Sequence, residues 1–236
     1  MVTEDKDKKD FGTWFAYDGF SALIKCVLFR SSAHYLLKKD EILLAIISSY
    51  YSLFHCGLSL VFFNPEKLDK SHDFLVELLK DRENGDDPQK KITHKKLISL
   101  LSKNKFTALP SKLLYGKQIR EFYNYGPRVT LDKNGNPYFG NPISEQGKDK
   151  HSPKDGEEFV KSIDKVIFDE FTFYLKNTAE TQLYVLRGLW NQTETYLNEE
   201  TFHFKNLYSD ETLASAKKFL YSLESLLNNI LKNSER

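Results

Sequence analysis

Cysteine is nearly absent: Cys26 and Cys56 are the only two in 236 residues, and neither belongs to a CxxC or CxxH pair. That argues against a zinc module and against a secreted domain built on disulfides, and leaves a reducing cytoplasm as the expected home. An excess of one charge is absent too. Lys and Arg total 34 against 33 Asp and Glu, a formal charge of +1, so a uniformly basic nucleic-acid binder or a protein held to a membrane surface by charge alone is not expected. There is no GxGxxG, no P-loop and no GxSxG. The six histidines, His34, His55, His72, His94, His151 and His203, form no HxH, HExxH or HD pair. No metal and no cofactor is therefore expected, and a metallohydrolase has little support.

What the chain does have is apolar surface. With 40% hydrophobic and 14% aromatic residues it is able to bury a core, which excludes global disorder. The first residues, Met1 to Asp10, mix both charge signs with no apolar stretch behind them, so they read as a solvated lead-in (1–17) and not as a signal peptide. One uncharged run, Ile42 to Phe63, is long enough to cross a bilayer. It carries Ser48, Ser49, Tyr50, Tyr51, Ser52, His55, Gly57 and Ser59 near its middle, where lipid penalises them most. The run therefore predicts a buried central helix and no membrane span.

Apolar spacing predicts an all-α chain. Trp14 to Lys39 forms a first helical region, and Asp40 is placed to cap the central helix, which Asn64-Pro65 ends. A short helix follows Ser71 or Asp73, closed by the loop Glu83 to Pro88. Thr93 to Leu101 is the next helix; Pro110 suits the first turn of another, which Gly126-Pro127 stops. Asn134-Gly135 and Asn136-Pro137 between Val129, Leu131, Tyr138 and Phe139 signal a hairpin, and residues 144–156 read as a mobile loop. Helical spacing resumes at Phe159, with strand character left open over Val166 to Leu175, and continues over Thr181 to Leu197. The last helix, behind Ser209 and Asp210, has the clearest apolar stripe, from Leu213 to Leu231.

The near-zero total charge conceals an asymmetry. From Pro88 to Arg120 stand nine basic residues, Lys90, Lys91, Lys95, Lys96, Lys103, Lys105, Lys112, Lys117 and Arg120, and no acidic one. The remaining 25 basic and 33 acidic residues leave the rest of the chain at −8. Such a segment is either a basic face for phosphate contact with RNA or a nucleotide, or a solvated helix pair whose lysines confer solubility. It lacks the interleaved aromatics that stack bases.

Several segments in order resemble one family. Ala45 to Leu58, with Tyr50-Tyr51 and Phe54-His55, is similar to the tyrosine-pair and Phe-His core helix of HEPN proteins, nucleotide-binding helical bundles. Thr93 to Leu101 resembles the family's His-led third segment, Arg120-Glu121-Phe122-Tyr123-Asn124-Tyr125-Gly126 its Arg-containing signature, and the helix from Asp210 its closing helix. The resemblance implies an antiparallel bundle built from 18–128 and 208–236, with 129–207 inserted as a hairpin, a loop and further helices. It also implies a homodimer or a complex with a neighbouring subunit, and a prokaryotic toxin-antitoxin or antiphage defence setting.

Nuclease members of the family place an Arg, then four to six intervening residues, then a His, and the pair cleaves RNA without metal. Here Tyr125, Gly126 and Pro127 occupy those places. The chemistry requires a general base for the ribose 2′-hydroxyl and a cation for the phosphorane. By this resemblance Arg120 is the candidate cation and His94 the candidate displaced base, with Lys95, Lys96, Lys103, Lys117, Asn124 and Tyr125 as RNA- or nucleotide-binding residues. Each has a structural alternative. Arg120 is equally suited to an ion pair, His94 to a helix start, and His55, Tyr50 and Tyr51 to the core. A non-catalytic subunit that docks a protein partner is the competing expectation.

Overall fold

A computed structural model describes residues 4–63, 92–125, 128–131, 137–140, 153–198 and 208–234, with side chains for 15–63, 92–121, 154–191 and 208–233. The elements are α1 (Glu4–Lys38), α2 (Ile42–Phe63), α3 (His94–Lys103), α4 (Ala108–Tyr125), a hairpin of β1 (Arg128–Leu131) and β2 (Pro137–Gly140), then α5 (Pro153–Lys176), α6 (Glu180–Asn198) and α7 (Asp210–Ser234). The protein is an all-α bundle carrying one antiparallel hairpin, in which Val129 faces Phe139 and Thr130 faces Tyr138. The helix and loop expected between Asn64 and Pro88, and the Gly126-Pro127 stop, lie outside the described residues.

The polar residues that interrupt the α2 run are packing devices. Ala45, Ser49, Ser52, Cys56 and Ser59 recur at steps of four and three and are all buried. That spacing forms one stripe of small side chains, along which a neighbouring helix approaches closely. The neighbour is α1, running antiparallel: Phe15 stacks on Phe62 at one end, and Cys26 meets Ser52 midway, with Sγ 3.6 Å from Oγ. Ile42–Phe63 is long and apolar enough to span a membrane by composition, but here α1, α3, α4 and α5 surround it.

Four sequence expectations change. Helix α1 begins at Glu4, inside the proposed lead-in, and Phe15 and Ala16 are buried. Asp40 does not cap α2. It ends α1 in the left-handed region at φ 60°, with its N–H on the Leu37 carbonyl and that of Glu41 on the Leu36 carbonyl. Those two bonds make a Schellman motif, in which the residue after the cap must turn left-handed. The Glu41 carbonyl accepts the Ala45 N–H and so starts α2. Of the loop expected over 144–156, residues 144–152 lie outside the described residues and 153–156 already belong to α5, since proline suits a first helical turn. Finally, α5 and α6, from the segment expected as an insertion, contribute to the central core. Phe159, Ile163, Phe171 and Trp190 belong to the same core as Phe20 and Leu53, and Trp190 lies edge-on to both Phe20 and Phe171.

Candidate functional site

Three helices converge on Tyr50 of α2. Thr93 caps α3 by accepting the Lys96 N–H at 3.2 Å, which makes His94 the first helical residue. Leu97 and Leu101 draw α3 onto α2 at Gly57, where a Cβ would stand 3.0 Å from one leucine and 3.1 Å from the other. His94 therefore falls across the aromatic edge of α2. Its ring stacks on Phe54 with centroids 4.2 Å apart and on Tyr50 at 5.3 Å, and its Nδ1 hydrogen-bonds the Tyr50 hydroxyl. On α4, Gly116 allows a similar approach: a Cβ there would meet Phe159 at 2.5 Å and Tyr50 at 3.2 Å. One turn beyond it, the Arg120 guanidinium carbon sits 4.5 Å from the Tyr50 ring centroid and 6.0 Å from that of Tyr51.

Arg120 is notable for what it does not pair with. Its Nε is buried without a hydrogen-bond acceptor, and among the described residues no carboxylate bridges to it. The neighbouring Glu121 pairs with Lys117 at 3.7 Å. Arg30 shows the contrasting case. Its Nε donates to Asp164 Oδ1 at 2.8 Å, Nη2 to Oδ2, and Nη1 to Ser215 at 3.0 Å, while the guanidinium lies on Phe219. His34 contacts the same carboxylate at 2.8 Å. Arg30 is thus a structural brace joining α1, α5 and α7, whereas Arg120 meets aromatic rings and, among the described residues, no carboxylate.

Electrostatics fix the protonation at neutral pH. Burial, then the charges of Arg120 and Lys117, push the His94 pKa down, so the imidazole is neutral. Burial raises the Tyr50 phenol to about 12 against the opposing pull of Arg120, so the phenol keeps its proton. The centre therefore holds the Arg120 cation with Lys117 nearby, a neutral imidazole and a hydroxyl, a set suited to an anionic oxygen ligand.

The structure brings Arg120, His94 and Lys117 together, with Lys95 and Lys96 exposed on the first turn of α3 beside His94. Lys103 is exposed at the far end of α3, about 13 Å away at 1.5 Å rise per residue. Asn124 and Tyr125 lie in the last turn of α4, and their side chains are outside the described residues. His55 is set apart from the centre by stacking parallel to Phe29 of α1, 5.5 Å between centroids. Among the described residues no group of three or more metal-ligating side chains occurs. Tyr50 is the member that spacing alone missed; a tyrosine in an apolar helix reads as core, which it also is. Comparison with models of known families, with curated proteins and with solved structures finds no match to this chain.

Proposed function

We propose that the protein is an HEPN-like RNA- or nucleotide-binding bundle of a prokaryotic toxin-antitoxin or antiphage defence system, in which the Arg120, His94 and Tyr50 centre holds a phosphate. The observation that carries this reading is the Arg120 guanidinium, which lies over the Tyr50 ring with a buried, unpartnered Nε and, among the described residues, no carboxylate on it. The ring contact holds the guanidinium over Tyr50, and the terminal nitrogens of an arginine are the donors that grip phosphate oxygens. Lys95 and Lys96, exposed on the first turn of α3 next to His94, add positive charge of the kind that contacts phosphate backbones. The family, the defence setting and the dimer rest on the sequence resemblance alone.

A second reading, metal-independent RNA cleavage, is favoured by the convergence of Arg120 and His94 on one tyrosine. Incubating the protein with single-stranded RNA in EDTA separates the two. Bound but intact RNA, with affinity lowered in Arg120→Ala, is the expected outcome. Robust cleavage by the wild type, lost in both Arg120→Ala and His94→Ala, would replace binding with catalysis, since a positioned general base contributes about 10² to 10⁴ in rate.

A further inference from the structure

We infer that Tyr50 is a positioning residue that locks His94 in the tautomer bearing its proton on Nε2, so that the centre presents only hydrogen-bond donors to its ligand and accepts an oxyanion without supplying a base. The inference rests on the proposed phosphate reading for the identity of the ligand, but not for the tautomer. Tyr50 is 1% exposed, and the hydrogen bond to His94 Nδ1 is the one its hydroxyl makes among the described residues. Two arrangements satisfy that contact. If Nδ1–H donated to the phenolic oxygen, the phenol's own hydrogen would be buried with no acceptor among the described residues, a costly defect. If the phenol donates to Nδ1, its hydrogen is used, Nδ1 is used as an acceptor, and the imidazole proton must reside on Nε2.

The nearby charges favour the same arrangement. Arg120 over the Tyr50 ring makes the phenol a better donor and a poorer acceptor, while Arg120 and Lys117 both oppose an imidazolium. An imidazolium would also need Nδ1–H against the phenol, and so would strand the same hydroxyl. Among the described residues the groups that face His94 are Tyr50 and Phe54 from α2 and Arg120 and Lys117 from α4; no carboxylate among them draws a proton onto Nδ1. Among the described residues Nε2 has no hydrogen-bond partner, and it is the nitrogen left for a ligand. A general base at this position would need the opposite tautomer, with a lone pair on Nε2.

The test is the ring-nitrogen correlation spectrum of the full chain labelled with ¹⁵N-histidine, at a pH above the His94 titration, with the His94 signals assigned by their loss in His94→Gln. We expect a protonated Nε2 and an unprotonated Nδ1, and in Tyr50→Phe, folded by circular dichroism, a loss of this single-tautomer pattern. A protonated Nδ1 in the wild type, or an unchanged pattern in Tyr50→Phe, would overturn the inference. Titrating the same sample with inorganic phosphate addresses the ligand separately. A shift of the Nε2–H signal that Arg120→Gln abolishes is expected; no shift with the Nε2–H tautomer intact would defeat the phosphate reading and leave the positioning role of Tyr50 standing.

Discussion

Asp164 takes hydrogen bonds from two side chains of α1. Burial alone would push its carboxyl up, but hydrogen bonds from His34 and Arg30, with the charge of Arg30, hold it down at about 2 instead of 3.8. A depressed carboxylate contributes stability that is present above its unfolded pKa and lost as pH falls through the folded value. Asp164→Asn should therefore lower the melting temperature at neutral pH. The gap from wild type should narrow between pH 3.8 and about 2; a gap independent of pH in thermal melts would contradict the assignment. Arg120 and His94 were legible as candidates because charge and family-like order marked them. Their meeting at Tyr50 was not, because Tyr50 and His94 are 44 residues apart in sequence and only the packing of α3 on α2 brings them into contact.

Among the elements, local signals succeeded where a single side chain decides the outcome. Ser209 caps α7 through its hydroxyl, and Pro110 sits in the first turn of α4. They failed where backbone geometry decides: Asp40 and Lys105, at φ 60° and 66°, each end a helix in a conformation usually left to glycine. The β-branched run of α5 is ambiguous in isolation, since its helical form depends on Phe159, Ile163 and Ile167 packing into a core that sequence spacing cannot see. Helix α4 offers the sharpest test of how an element sets the site. Gly116→Ala would drive a methyl group into Phe159 and Tyr50, both fully buried and unable to swing aside. The expected result is a loss of about 1–3 kcal/mol of stability, as overpacking of a close-fitted core typically costs. Displacement of Arg120 from the Tyr50 ring should weaken RNA binding in the fraction that remains folded. A variant as stable as wild type would show that α4 is free to shift and that the close approach does not hold Arg120 in place.

For the molecule as a whole, the sequence conveyed the all-α class and the buried character of Ile42–Phe63, because composition and apolar period report on burial directly. It did not convey that α5 and α6 complete the same core, because a break in pattern at the hairpin resembles a domain boundary until the packing is known. The basic stretch now has a place. Its described part forms α3, the α3–α4 turn and α4, so Lys95, Lys96, Lys103 and Lys117 share a helical hairpin with Arg120 on a chain that elsewhere is net acidic. The direct test of the account is the affinity of wild type and Arg120→Gln for a short single-stranded RNA, measured across a salt series. The account predicts that Arg120→Gln folds with an unchanged melting temperature and binds roughly tenfold or more weakly, since a charge-assisted hydrogen bond contributes about 1.5–3 kcal/mol. It also predicts a flatter dependence of log affinity on log salt for the variant, by about one lost phosphate contact. Equal affinity and equal slope for the two proteins would contradict it.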